Sequence, residues 1–143
     1  MKSALSLFVR LFLLLAICLS SALAFAQEPV QFVVQLTRGA DNYGHRRALL
    51  QIDKVLEDIG PGKLKIVVVA YEDGIQALLA NNKQTSQLLT KLANEGVVFK
   101  ACRISMRAWN LKEKQFPLEV EFVSAGAPEM IRLQMAGYKY WQP

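Results

Sequence analysis

From Pro29 onward, apolar positions alternate between two spacings. Short runs rich in β-branched and aromatic residues fall at positions 32–36, 64–71, 97–99 and 120–123, with a weak fifth at 139–141. Such runs predict strands. Between them, Leu49, Ile52, Val55, Leu56 and Ile59 recur at steps of three and four, which places them on one face of a helix. Thr85, Leu88, Leu89 and Leu92 repeat that spacing. Asp41 and Asn42 are suited to cap the first helix, and Gly60-Pro61 stops it. Asn81 or Asn82 is suited to cap the second, which ends at Gly96. Pro128 and Glu129 open a last helix, where a missing N–H costs nothing and an acid suits the dipole, and Gly137 closes it. Residues 104–116 are less regular: Met106 and Trp109 suggest a short helical turn, and Lys112-Glu113-Lys114 a solvated face.

Strands that alternate with helices imply βαβ units and a mainly parallel sheet covered on both faces. Ile66-Val67-Val68-Val69-Ala70 is apolar at every position, as a central strand buried on both sides requires. Tyr138, Tyr140 and Trp141 crowd the last strand, and either pack on the last helix or meet another subunit. With no internal repeat and no linker, residues 27–143 are expected to form a single α/β domain.

The first 26 residues carry a different pattern. Lys2 and Arg10 precede an apolar run from Leu11 to Leu19, and small residues lead to Ala24-Phe25-Ala26. This is the order of a cleavable signal peptide, with cleavage before Gln27, and it points to the periplasm. A membrane anchor is the competing reading, but Ser20 and Ser21 interrupt a run shorter than the ~20 apolar residues a span needs. Cleavage lowers the 17 basic residues to 15 against 12 acidic, a net charge of +3 in place of +5. No basic cluster is interleaved with aromatics, which argues against nucleic acid as a partner.

Cleavage also removes Cys18 and leaves Cys102 alone. A single thiol in an oxidising compartment is reactive, intermolecular or simply buried. In an open parallel sheet, ligands bind at the rim formed by loops leaving the carboxyl ends of the strands. The strand assignment puts Arg38, the pair Glu72-Asp73, Cys102-Arg103 and Ser124-Ala125-Gly126 on that rim, with Cys102 its one strong nucleophile. If a helix begins after Cys102, its free N–H groups and the adjacent Arg103 favour the thiolate. The alternative is a small buried hydrophobe that closes a strand. Arg38 is a candidate to hold an anion over the rim. Glu72 and Asp73 are either an acid–base pair or plain turn residues before Gly74. His45 has no second histidine or cysteine nearby, so a surface or capping role is expected and no metal site. No phosphate-binding glycine motif follows any strand, so no nucleotide cofactor is expected.

Three stretches carry a resemblance to a known family: Lys65 to Ala70 with the turn to Gly74-Ile75; Leu92-Ala93-Asn94-Glu95-Gly96-Val97-Val98-Phe99-Lys100-Ala101-Cys102; and Val123-Ser124-Ala125-Gly126-Ala127-Pro128-Glu129, with Arg132-Leu133-Gln134 and Gly137-Tyr138. In order and spacing they resemble the DsrE/DsrF-like family, in particular its small exported members. The resemblance implies a flavodoxin-like doubly wound fold, assembly into oligomers, and sulfur carried as a persulfide on the cysteine after the third strand, which Cys102 matches. Many exported relatives carry a His-Gly pair after the second strand, where this chain has Tyr71-Glu72. Two functions are therefore expected to compete. One is a sulfur carrier, supplied by a small sulfur-donor anion and discharged to a sulfur-accepting protein. The other is a non-enzymatic oligomeric binding or assembly module with a structural Cys102.

Overall fold

The computed structural model describes residues 28–39 and 44–143. Five strands form one all-parallel sheet: β1 (Val30–Leu36), β2 (Leu64–Ala70), β3 (Val98–Cys102), β4 (Val120–Val123) and β5 (Lys139–Trp141). Four α-helices join them: α1 (Gly44–Ile59), α2 (Ser86–Asn94), α3 (Arg103–Ala108) and α4 (Gly126–Met135). The spatial order is β4-β3-β2-β1-β5. The chain therefore steps one strand at a time from β1 to β4, then returns past the whole sheet to place β5 beside β1.

Handedness explains which face each connection covers. Right-handed crossovers that advance in one direction lie on one face, and the returning connection must lie on the other. The larger core joins Leu49, Ile52 and Leu56 of α1, Leu89 and Leu92 of α2, and Met106 of α3 to Val34, Leu36, Ile66, Val68, Phe99 and Val120 of the sheet. The opposite face holds a smaller core in which Val33, Val67 and Val69 pack on Met130 of α4. Residues of β1 and β2 thus alternate between two covered faces, which is why Val33-Val34 of β1 and the run Ile66 to Ala70 of β2 are apolar on both. The sequence expectation of a doubly wound α/β domain with five strands is met.

Several boundaries differ from expectation, each for a local reason. β3 runs on to Cys102, because Lys100 finds a partly buried partner in Glu129 at 2.6 Å and so continues the strand at a position that reads as polar. A 3₁₀ segment, Glu72–Leu78, replaces a plain turn after β2 and buries Ile75, Ala77 and Leu78 completely. α2 begins at Ser86 rather than near Asn82, whose side chain instead accepts from the Gln84 N–H and donates to the Gln76 carbonyl. α4 begins at Gly126, with Pro128 inside its first turn. Gly60 and Gly137 follow α1 and α4 with φ of 101° and 96°, the left-handed backbone that ends a helix.

His45 is a clear correction. It is buried rather than on the surface, and its Nε2 donates to the Arg38 carbonyl at 2.7 Å, tying the start of α1 to the end of β1. The proposed caps Asp41 and Asn42 and the signal-peptide residues 1–26 lie outside the described residues. Among the described residues, no helix is long and apolar enough to cross a membrane. Of the C-terminal aromatics, Tyr138 packs on the α4 side and Trp141 on the larger core, while Tyr140 stays half exposed.

Candidate functional site

Cys102 is the last residue of β3, and it stands at the point where the sheet divides its connections. The loop after β3 turns into α3 on the larger-core face; the loop after β4 turns into α4 on the other. Neighbouring strands whose loops leave to opposite faces open a crevice at their carboxyl ends, the usual ligand position in such sheets. Cys102 occupies it.

Sγ accepts a hydrogen bond from the backbone N–H of Gly126, the first residue of α4, at 3.2 Å. Cys102 is also the N-cap of α3, although no cap hydrogen bond of full geometry joins its side chain to that helix. The thiol is only 3% exposed. Burial is the largest single influence on it and pushes its pKa up. The N–H and hydroxyl of Ser105 and the N–H groups of Gly126 and Ile104 act in the other direction, and their sum holds the thiol below its ordinary value. The site therefore favours a thiolate by aiming neutral donors at the sulfur from two helix starts.

Ser105 is itself fixed. It is buried, and its Oγ accepts the Glu72 N–H at 2.8 Å. That contact needs Glu72 at a φ of 51°, an uncommon conformation for a residue with a side chain. Glu72 thus reaches the site through its main chain, while its side chain is exposed to solvent. Arg103 does not face the thiol. Its guanidinium pairs with Glu113 and lies over the Phe122 ring, 5.3 Å from the centroid. Arg38 sits at the end of β1, two strands away, roughly 10 Å at ordinary strand spacing. It lines a separate cleft of about 400 Å³ with Arg47 and Gln51. The structure therefore brings Cys102 and the Glu72 backbone together, and leaves Arg38 and the charge of Arg103 outside.

Two contributors escape a reading by charge. Ser105 follows Cys102 by three residues at a strand-to-helix junction, the N-cap to N3 spacing at which side chains and N–H groups converge. Gly126 lies on the expected rim, but its N–H reads as a donor only once α4 is known to begin there rather than at Pro128. Tyr71 completes the surroundings. It packs so closely on Gly126 that a Cβ there would stand 2.7 Å from the Tyr71 Cβ, Cγ and Cδ1. Its hydroxyl accepts from Gln35 Nε2 at 2.5 Å, and Gln35 Oε1 accepts from the Tyr140 hydroxyl at 2.5 Å. Burial, with help from Glu72, Tyr140 and Cys102, pushes the Tyr71 pKa up and keeps the phenol neutral.

Comparison with known proteins agrees with this geometry. The DsrE/DsrF-like family profile matches residues 31–143, from β1 to beyond β5. The chain belongs to the DsrE/DsrF-like family. This DsrE-like chain is also similar to two solved structures. One is the protein of unknown function MTH1491 from Methanobacterium thermoautotrophicum, with a TM-score of 0.69 and 25% identity over 82% of this chain and 100% of that one. The other is the ychN protein of E. coli, with a TM-score of 0.62 and 15% identity over the same shares. Both show the same fold. No curated protein matches the chain.

The lowered thiol pKa gives a pH prediction. The rate of Cys102 alkylation by iodoacetamide is expected to rise with pH along a curve whose midpoint lies below that of the same protein in concentrated urea. Because the folded pKa is the lower one, the folded state binds fewer protons than the unfolded state between the two midpoints. Stability from this group is thus complete above the unfolded pKa and is lost as pH falls through the folded one. Coincident midpoints in buffer and urea would refute the electrostatic reading of the site.

Proposed function

We propose that this DsrE-like chain is an exported sulfur carrier that holds sulfur as a persulfide on Cys102. The observation that supports this most is the thiol's position. It lies at the division point of the sheet, beneath the N–H of Gly126, with the donors of α3 lowering its pKa. Sulfur relay is a general role of the family, and the signal-like leader argues for work in the periplasm. There the donor is a small sulfur anion rather than a cytoplasmic desulfurase.

The proposed step balances without an outside oxidant. The Cys102 thiolate attacks a sulfane sulfur of a hydrogen trisulfide anion and forms the new S–S bond. The donor's own S–S bond breaks, its electron pair leaves with the two departing sulfurs, and the donor's single proton goes with them, so that the hydrogen disulfide anion departs. Cys102 is left as a persulfide anion, which the same N–H groups solvate. A sulfur-accepting protein thiolate then takes the outer sulfur and regenerates the Cys102 thiolate.

Intact mass before and after polysulfide tests the reading, with Cys102→Ser protein as background for any signal from Cys18. The expected result is one added sulfur, removed by reductant and absent from Cys102→Ser. No adduct on folded protein would overturn it. A second reading draws on the 3% exposure of Cys102 and on Ile131 and Met135, which leave an apolar stripe of α4 in solvent. In it, the domain is an oligomeric binding or assembly module and the thiol is structural. Cys102→Ser would then leave assembly intact and cost only stability.

A further inference from the structure

We propose that Tyr71 is the specificity-determining residue of the Cys102 site, admitting slender polysulfide anions and shutting out bulky or branched disulfides. The inference rests on the carrier reading and names the class of donor it requires. Tyr71 and Cys102 directly follow Ala70 and Ala101, the last registered pair of β2 and β3, and so stand side by side on the α4 face. Cys102 faces the start of α3 on one side and the Gly126 N–H on another. The ring of Tyr71 fills the space that a side chain at 126 would take.

The ring is held at both ends. Its base is wedged against Gly126, and its hydroxyl is tied through Gln35 to Tyr140 on the edge strand β5. The tethered ring thus stands beside a sulfur that is almost fully buried, and a reagent entering between β2 and the start of α4 meets it. A polysulfide chain is one atom wide, carries no branches, and reacts through its end. It needs only a small displacement of the ring, whereas an aromatic disulfide needs the ring removed. The phenol also remains neutral, so the filter does not repel an anion as a carboxylate there would.

Two reagents that transfer no sulfane sulfur read the filter directly: methyl methanethiosulfonate, which is small, and 5,5′-dithiobis(2-nitrobenzoate), which is bulky. The ratio of their rates with Cys102 cancels any change in the thiolate fraction. Cys102→Ser supplies the background, and glutathione supplies the unfiltered ratio. Wild-type protein is expected to favour the small reagent at least about 100-fold more than glutathione does. Tyr71→Ala is expected to reduce that preference at least about tenfold, and Tyr71→Phe, which keeps the ring, to retain most of it. Tyr140→Phe loses only the far end of the tether and leaves the Gln35–Tyr71 hydrogen bond in place, so its preference should fall no further than that of Tyr71→Phe, by about threefold at most in either. A wild-type ratio equal to that of glutathione, or an unchanged ratio in Tyr71→Ala, would overturn the proposal. Sulfur uptake from polysulfide without any movement of the reagent ratio would leave the carrier standing and remove the filter. A filter lost in Tyr71→Ala, with no sulfur taken up by wild type, would do the reverse.

Discussion

Gly74→Ala is expected to lower the unfolding free energy by about 3 kcal/mol or more, measured by urea denaturation. The cause is a close approach between backbones. A Cβ at position 74 would stand 2.1 Å from the Leu36 carbonyl oxygen, 2.5 Å from its carbon and 2.8 Å from the Thr37 nitrogen. None of these is the end of a flexible side chain that can turn aside. Leu36 is the last residue of β1, and its carbonyl also accepts the Tyr71 N–H at 3.1 Å. Relief of the clash must therefore part β1 from the 3₁₀ segment or push that segment away, exposing Ile75, Ala77 and Leu78. The same shift displaces the Glu72 N–H from Ser105, so the alkylation midpoint of Cys102 should move up in this variant. An alanine protein as stable as wild type would show that the segment yields freely and that this packing does not hold the site.

Phe99→Ala is expected to cost about 3–5 kcal/mol, the range for removing a buried aromatic. Phe99, the second residue of β3, is fully buried between Val68 and Val120 within the larger core. Truncation loses its transfer from water and leaves a cavity between the sheet and the helices of the larger core, beneath a strand held by hydrogen bonds on both sides. A small domain has only about 5–15 kcal/mol in total, so this variant should be near the edge of folding at 25 °C. Leu118→Ala is the matching control. That side chain lies wholly in solvent, and its loss should shift the urea midpoint little. Equal effects at the two positions would contradict the assignment of the core.

The fold was legible because burial on both faces leaves a direct mark. The unbroken apolar run Ile66 to Ala70 fits an inner strand, and the three-and-four spacing of α1 marked Leu49, Ile52 and Leu56 as inward, whereas Ile59, at its end, is exposed. Lys100 shows where this kind of reading fails. A lysine next to the strand core reads as the strand's end, yet Glu129 arrives from α4, 29 residues later, and the pair lets β3 continue to Cys102. The 3₁₀ segment was missed for a related reason. Glu72-Asp73-Gly74 has the composition of a turn, and only the three-dimensional proximity of Leu36 shows why glycine is needed there.

The site divided in a similar way. Topology alone placed Cys102 at the rim, because the carboxyl end of a strand follows from strand order. Its chemical partners did not follow from charge. Arg103, next in sequence, turns to Glu113, while the groups that act on the sulfur are uncharged: a hydroxyl and three N–H groups. Main-chain donors carry no signature in a sequence beyond the helix starts that expose them. Gly126 fell on the expected rim, yet an error of two residues in the start of α4 hid its N–H as a donor. Pairing of distant side chains, such as Gln35 with both Tyr71 and Tyr140, leaves no local trace at all.

The pairing of β1 with β5 has a consequence for how the chain is made. Phe32 is in register with Lys139, so the first strand waits for the last to cover one of its edges. A chain growing from its amino end can assemble β1 through β4 and still present a bare row of amide and carbonyl groups along β1. Until β5 emerges, that row is a template for any extended peptide nearby. The final three-residue strand thus acts as a seal, and a chain shortened before Lys139 should aggregate while its remaining core is intact.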